Sequence, residues 1–313
     1  MHVLGIDVGG TSTVGVVGDE RGQLIAQTRG PGANLQAAGE FGLETVLRRV
    51  IDETLAQVSG APSAICLGIA GVDRPDDAAV VRRIMGRLSF KVPLLIVNDA
   101  LIALRAALPD GPGIVIVAGT GSIAYGCDRR GYAARAGGWG HVLGDEGSGY
   151  WMGRLALRAI VREADGRGPA TALTTRVLGH FGVDRPEDLL YTVYRGDFKP
   201  AAIAALATDV QRARDDGDAI ATSILVWAAE ELVAAALSVT TQLALSHDDF
   251  AFVLSGGMFT AVPWLRDEVR RLLPGIAPRS RVIDLDVEPA IGAVRLALAE
   301  MNGGAAIPEY RRR

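Results

Sequence analysis

Two short glycine-containing segments carry residue types that suit phosphate binding. DVGGTST occupies residues 7–13 and GTGS occupies residues 119–122, and each follows an apolar run. Glycines let the backbone approach a ligand closely, and successive N–H groups with hydroxyls beside them can cradle an anion. The carboxylate of Asp7 can hold a metal ion beside that anion. The alternative for one Gly-Gly pair is a plain hairpin turn with a polar rim.

An aspartate at the end of another apolar run is a candidate general base. Asp99 follows the apolar run 93–97 and precedes a predicted helix over 100–108. A carboxylate at the carboxyl end of a buried strand, facing a cleft, can orient an acceptor hydroxyl and take its proton. Alternatively, Asp99 is the N-cap of the helix. The local sequence leaves both roles open.

Three designs of phosphate site can be compared with these segments. A Walker loop needs GxxxxGK[ST], and neither lysine of the chain follows a glycine loop. A Rossmann fingerprint needs its glycines between a strand and a helix, whereas residues 7–13 lie between two predicted strands. The third design is a pair of β-hairpin turns, one per lobe, that grip the β- and γ-phosphates from opposite sides. The sequence favours the third design.

The pattern of apolar residues predicts two halves of similar topology. The predicted strands of the first half cover residues 2–8, 12–17, 23–28, 64–70 and 93–97, and its helices cover 38–58, 76–88 and 100–108. The second half has strands at 113–118, 123–127, 252–254 and 281–285, a broken helical region at 150–245, and helices at 262–273 and 289–301. The sequence therefore predicts an α/β fold with sheets covered on both faces and a division near residues 111–113.

Composition limits the classes of partner and compartment. The 313 residues are 49% hydrophobic and 22% charged, as in a soluble globular protein of two domains. The net charge of −4 predicts no general attraction to nucleic acid or to an anionic membrane. The longest apolar run, around 224–245, is interrupted by Glu230 and Glu231, so we expect no membrane span. Two isolated cysteines, Cys66 and Cys127, indicate neither zinc nor disulfides and fit a reducing cytoplasm.

Taken in order, the motifs resemble those of the actin/Hsp70/hexokinase superfamily. The resemblance rests on DVGGTST, on Asn98-Asp99, on GTGS, and on LSGG at residues 254–257. Within that superfamily, the block GGWGHVLGDEGSGYW at residues 137–151 resembles the N-acetylglucosamine kinases grouped with the BadF/BadG/BcrA/BcrD ATPases. This block is long and highly specific, and the match spans almost the whole chain.

The resemblance implies a fold and an activity. The fold would be two duplicated ribonuclease-H-like (actin-like ATPase) domains with a cleft between them. One lobe would cover residues 1–111, and the other would cover 112–313 with a helical insertion and a last helix that packs back on the first lobe. The activity would be ATP-dependent phosphorylation of the 6-hydroxyl of N-acetylglucosamine by a cytoplasmic homodimer.

Roles for individual residues follow from the same resemblance. ATP would be bound by two turns and an adenosine pocket, made of Asp7, Gly9, Gly10, Thr11, Thr13, Thr120, Gly121, Gly256 and Gly257. Mg²⁺ would be held by Asp7 through water, and Asp99 matches the catalytic aspartate. The amino sugar would contact Asn34, Asp99, Ser122, Gly138, Trp139, Gly140 and Asp145.

Several alternatives stay open. Glucosamine and N-acetylmuramic acid are rival acceptors, since Ile123 stands where some relatives carry a polar residue that contacts the sugar. A different class is an ATPase that activates acyl-CoA dehydratases, but Cys66 and Cys127 offer no obvious ligand set for its iron–sulfur cluster. A ROK-type kinase or repressor would usually carry a cysteine-rich zinc motif, which is absent here.

Four residues of the long block also have structural alternatives. Trp139 is either a core anchor or an apolar face for a sugar ring. His141 is expected to be a hydrogen-bonded structural histidine. Asp145, together with the glutamate that follows it, could merely solvate a loop.

Overall fold

The first half of the chain forms one mixed sheet with three helices. The computed structural model describes residues 1–33, 35–72, 75–195 and 199–310. The strands are β1 (His2–Val8), β2 (Ser12–Asp19), β3 (Leu24–Pro31), β4 (Ile65–Ile69) and β5 (Leu94–Asn98), and the helices are α1 (Leu35–Leu55), α2 (Pro75–Arg87) and α3 (Asp99–Ala107). The strand order is β3-β2-β1-β4-β5. β2 runs antiparallel to both of its neighbours, whereas β4 runs parallel to both of its neighbours.

The second half repeats this sheet. Its strands are β6 (Gly113–Ala118), β7 (Ser122–Cys127), β8 (Tyr132–Gly137), β9 (Ala251–Ser255), β10 (Arg281–Asp284) and β11 (Glu309–Tyr310). The order is β10-β9-β6-β7-β8-β11. β7 is antiparallel to β6 and β8, and β9 is parallel to β6 and β10, as in the first sheet. The predicted duplication and the α/β fold class are confirmed.

Among its described residues, the predicted helical region of the second half contains six helices. These are α4 (Gly149–Ala164), α5 (Leu173–Phe181), α6 (Asp188–Arg195), α7 (Pro200–Ala205), α8 (Ala207–Asp215) and α9 (Ala219–Gln242). Farther on come α10 (Met258–Ala261), α11 (Pro263–Leu272) and α12 (Ala290–Met301). By length and composition alone α9 is apolar enough to cross a membrane, although the sequence predicted no such segment. It packs against β7, β8, α8 and α11, and 39% of its most apolar stretch is buried.

Strand β8 and strand β11 are absent from the sequence-based prediction. The sequence of β8, YAARAG, contains no β-branched residue, and only Ala133 and Ala134 are buried. Such a segment has weak intrinsic strand preference, because strand propensity mostly reflects side-chain packing on a half-buried surface. Its pairing with β7 makes it a strand. Tertiary pairing therefore overrides local preference here.

Two helices cross between the halves. The first-half helix α3 contacts β6 and β7, and the last helix α12 contacts α3, β1, β2 and β4. Glycines permit this approach, since a Cβ at Gly5 would lie 2.7 Å from the Ala290 carbonyl oxygen and one at Gly292 would lie 1.8 Å from that of Ile102. A central core of buried residues from both sheets and both helices results. The division into lobes at residue 111 stays a prediction.

Candidate active site

The first glycine turn joins β1 to β2 and is closed by its own backbone. The Gly9 N–H donates to the Ser12 carbonyl at 2.9 Å, and the Gly32 N–H donates to the Thr11 carbonyl at 3.0 Å. A Cβ at Gly32 would lie 2.2 Å from the Gly10 carbonyl oxygen, so only glycine allows the chain after β3 to support the turn so closely. The exposed tip, Gly10 and Thr11, projects from the end of the sheet.

The second glycine turn, residues 119–121, joins β6 to β7 and faces the first. The Gly119 N–H donates to the Gly121 carbonyl at 2.9 Å. The Thr11 and Thr120 Oγ1 atoms are hydrogen bonded at 2.9 Å although they lie 109 residues apart in sequence. The structure therefore brings the two predicted phosphate turns together from opposite halves of the chain.

Thr13 is the predicted nucleotide ligand that the structure does not bring to this cleft. Its side chain is fully buried. Its hydroxyl donates to the Pro31 carbonyl at 2.9 Å, which ties β2 to the end of β3. In this structure the Thr13 side chain supports the first turn, and its role as a nucleotide ligand stays a prediction.

Asp7 lies near two other acidic residues, one of which the sequence analysis did not identify. Burial raises the pKa of its carboxyl to about 8, and the charges of Asp99 and Glu288 add to the rise, while Arg29 opposes it. Arg29 forms an ion pair with Glu288 and donates to the Ser12 Oγ at 3.3 Å. Glu288 was missed because it precedes α12 and shares no local motif with residues 7–13.

The residue before Asp99 decides between its two candidate roles, catalytic carboxylate and helix N-cap. Asn98 is the N-cap of α3, and its side-chain oxygen accepts from the Ala100 N–H at 2.8 Å. Asp99 is the first helical residue, with its Oδ1 at 2.9 Å from the same N–H. The prediction of Asp99 as the N-cap is therefore wrong, although it assists the cap. The charge of Asp99 raises the pKa of Asp7, so the two carboxylates lie near enough to interact.

The glycine-rich block at residues 137–151 wraps the second turn. The Gly138 N–H donates to the Ser122 carbonyl at 2.9 Å, and the Gly149 N–H donates to the Gly119 carbonyl at 2.9 Å. The buried Ser122 hydroxyl donates to the Glu146 carbonyl at 2.7 Å. The candidate sugar residues and the candidate phosphate turn are therefore parts of one hydrogen-bonded unit.

Asp145 is the buried acid of this block. Its backbone has a φ of 60°, in the left-handed region. Its Oδ1 accepts from the Ser122 N–H at 3.4 Å, and a Cβ at Gly121 would lie 2.7 Å from its Oδ2. Burial raises the pKa of the Asp145 carboxyl above its usual range. A buried carboxylate held against the second turn is not a loop-solvating residue, and that alternative is withdrawn.

The remaining sugar candidates occupy the exposed part of the block. Trp139 is 56% exposed, so it is not a core anchor. The Arg135 guanidinium lies 5.0 Å from the centre of its ring. Gly138 and Gly140 have φ values of 71° and 80°, in the left-handed region that favours glycine. The exposed His141 ring packs edge-on against Tyr150 at 4.9 Å.

Asn34 completes the predicted set of sugar residues and lies outside the described residues.

The late glycine pair lies beside the second turn. β9 pairs with β6 so that Ser255 is opposite Val117, which brings Gly256 next to residues 118–119. Gly256 has a φ of 107°, and a Cβ there would lie 2.3 Å from the Ala118 carbonyl oxygen. Gly257 faces open space. The predicted adenosine residues are therefore contiguous with a predicted phosphate turn.

The surroundings of Asp7 suit a Mg²⁺ ion that takes most of its ligands from water and from substrate phosphates. In the part of the chain that the structure describes, no group of three or more His, Cys, Asp or Glu side chains could hold a metal. Mg²⁺ usually keeps several waters and takes one or two carboxylates together with substrate phosphates. Burial is the main cause of the raised pKa of Asp7, and the negative charges of Asp99 and Glu288 beside it are ones that a cation would offset. Asp7 therefore fits a magnesium ligand that acts together with bound phosphate.

Two sheets of one topology, each presenting a hairpin turn to a shared cleft, define a two-lobed protein of the actin-like ATPase class. Residues 4–297 match the BadF/BadG/BcrA/BcrD ATPase family, and the chain belongs to that family. The resemblance inferred from the motifs is thereby confirmed.

Named relatives cover almost the whole chain. The N-acetylmuramic acid/N-acetylglucosamine kinase of Clostridium acetobutylicum is 33% identical over 305 residues, which cover 96% of this chain and 99% of the relative. The N-acetyl-D-glucosamine kinase of Dictyostelium discoideum is 34% identical, with 94% and 97% covered. A solved structure from Chromobacterium violaceum, assigned as an N-acetylglucosamine kinase, superposes with a TM-score of 0.74 at 27% identity, with 95% and 98% covered.

Proposed function

We propose that the protein is an ATP-dependent amino-sugar kinase that phosphorylates the 6-hydroxyl of N-acetylglucosamine. The observation that carries the proposal is the packing of the 137–151 block on the second turn. Asp145 and Glu146 are both bonded to Ser122, which directly follows the turn at residues 119–121. This arrangement supports a sugar and a phosphate chain held side by side. The full-length relatives named as kinases of N-acetylglucosamine support the same activity.

The chemistry requires positioning and charge stabilisation more than covalent catalysis. Phosphoryl transfer needs backbone donors and Mg²⁺ on the phosphates and an acceptor oxygen held in line. In the proposal the turns at 9–11 and 119–121 supply the backbone donors, and Gly256 and Gly257 border the adenosine. Bound Mg²⁺ would neutralise charge on the phosphates, and Asp7 would hold it through water.

Asp99 is the proposed catalytic residue. It would orient the acceptor hydroxyl and take its proton as the new bond forms, an effect typically worth about 10²–10⁴-fold in rate. Its position at the start of α3, directly after β5, supports this role because the side chain is anchored by regular elements on both sides. Ser122, Gly138, Trp139, Gly140, Asp145 and, from the sequence alone, Asn34 are the proposed contacts of the sugar.

The positions of the two cysteines do not support the alternative function, an ATPase that activates acyl-CoA dehydratases. Cys66 is fully buried in β4, and burial raises the pKa of its thiol. Cys127 is also buried, and its sulfur accepts from the Arg105 guanidinium at 3.3 Å. Neither thiol lies at a surface where two subunits could share an iron–sulfur cluster. The homodimer, the cytoplasmic location and the absence of nucleic-acid and membrane partners stay predictions.

A coupled ADP-release assay over a panel of sugars tests the proposal. The panel should contain glucose, glucosamine, N-acetylglucosamine and N-acetylmuramic acid, with MgATP in excess. We expect the highest kcat/KM for N-acetylglucosamine, and NMR of the product should place the phosphate on the 6-oxygen. A kcat/KM for glucose or glucosamine tenfold or more above that of the acetylated sugar would reject the substrate while leaving the kinase.

A further inference from the structure

A cavity opens behind the candidate sugar residues, between β7, β8 and α9. Its volume is about 260 Å³, and Ser122, Gly137 and Glu146 are among the residues that line it. Sites for whole drug-sized ligands run to roughly 300–1,000 Å³, so this cavity suits part of a ligand. Ser122 is bonded through its N–H to Asp145. Because Ser122 is both a lining residue and a proposed contact of the sugar, the cavity adjoins the region assigned to the sugar.

Most of the residues that line the cavity are apolar, and its ionisable residues are acidic. Ile123 and Ala136 line it from the strands, and Leu232 and Ala235 line it from α9. The two ionisable residues in the lining are Glu146 and Glu231. Among the described residues that line it, none carries a positive charge. An apolar chamber with carboxylates favours neutral or cationic groups and disfavours anions.

Glu231 is held in place by its own helix. Its Oε1 accepts from the Trp227 indole N–H at 2.9 Å, one turn earlier on α9. The half-exposed Trp227 ring packs edge-on against the buried Trp151 at 4.8 Å, which restrains the donor on one side. A carboxylate fixed in this way cannot easily turn away from an approaching anion. The nearby Arg135 guanidinium is already bonded to the Gly137 carbonyl at 3.1 Å.

We propose that this cavity receives a substituent of the bound amino sugar and that Glu231 is a specificity-determining residue that excludes a negatively charged substituent. The inference rests on the proposed amino-sugar kinase function. N-acetylmuramic acid is N-acetylglucosamine with a lactyl ether on its 3-oxygen, and the lactyl group carries a carboxylate. The protein therefore discriminates between these two sugars by like-charge repulsion and not by the size of the cavity.

The test compares Glu231→Gln with Glu230→Gln. Glutamine at 231 keeps an oxygen for the Trp227 N–H and removes only the charge, so the fold is retained. Glu230 is exposed, lies next in sequence and does not line the cavity, which makes it the matched control. The measured quantity is the ratio of kcat/KM for N-acetylmuramic acid to that for N-acetylglucosamine. Calorimetric titration with each sugar, without ATP, gives the same ratio for binding.

We expect the wild-type ratio to lie at least about tenfold below unity and Glu231→Gln to raise it about 5–20-fold, while Glu230→Gln leaves it unchanged. A wild-type preference for the lactyl sugar would overturn the inference. So would a shift below about twofold in Glu231→Gln, or an equal shift in Glu230→Gln. Wild-type protein that phosphorylates none of the sugars would reject the proposed function itself, which is a separate outcome.

Discussion

Replacing Asp99 with asparagine separates catalysis from helix capping. The substitution keeps the side-chain volume and one acceptor oxygen but removes the charge and the ability to accept a proton. If Asp99 is the catalytic carboxylate, kcat should fall roughly 10²–10⁴-fold, which corresponds to about 3–5 kcal/mol of barrier. The KM for ATP should change little, because the glycine turns are unaltered.

The structure limits how much stability the same change can cost. Asn98 already supplies the capping oxygen to the Ala100 N–H. Asp99→Asn therefore loses only a negative charge in the first turn of α3, worth typically 0.3–1 kcal/mol. Removing that charge also relieves Asp7, because Asp99 raises the pKa of Asp7. The two effects oppose each other, so the melting temperature should stay within about 3 °C of wild type.

The assay is steady-state ADP release with saturating sugar, together with thermal unfolding of each variant. Asp145→Asn is the control for sugar binding, since asparagine tolerates the left-handed backbone there and should raise the KM for sugar more than it lowers kcat. Asn98→Ala is the control for the cap and should lower the melting temperature through a loss of about 1 kcal/mol. An Asp99→Asn enzyme that keeps more than about a tenth of wild-type kcat would refute the reasoning.

Two further predictions concern stability. The pKa of Asp7, raised from 3.8 to about 8, gives stability that is present below pH 4 and is lost as the pH rises through 8, at most ~6 kcal/mol. In wild-type protein, the free energy of unfolding measured by urea titration should therefore fall between pH 5 and pH 9, and in Asp7→Asn it should fall less. Curves of unfolding free energy against pH that run parallel for the two proteins would contradict this. Gly256→Ala should lower the melting temperature by roughly 4–10 °C, since its Cβ would meet the Ala118 carbonyl at 2.3 Å. Gly257→Ala, in open space, is the matched control and should match wild type in stability.

The parts of the fold that follow from sequence are those with strong local signals. The buried strand runs and the two glycine turns were predicted because continuous apolar segments and glycine pairs are visible without knowledge of the fold. β8 was missed because its alanines and glycine give no strand signal until β7 pairs with it. Glu288 was missed for a related reason, since only the packing of α12 on the first sheet brings it to Asp7.

The half of the chain from which each candidate residue comes shows how the residues of the site are held in fixed relative positions. The sugar block and the second turn share one hydrogen-bonded unit, so a sugar at 138–145 would be positioned relative to phosphate without a flexible joint. Asp99 and Asp7 come from the other half, and their alignment with that unit depends on how the halves are held. Helices α3 and α12 supply this link, because each packs against the sheet of the opposite half. Close backbone contact at Gly292, where any side chain would collide with Ile102, fixes the two helices against each other and sets the position of Asp99 at the start of α3.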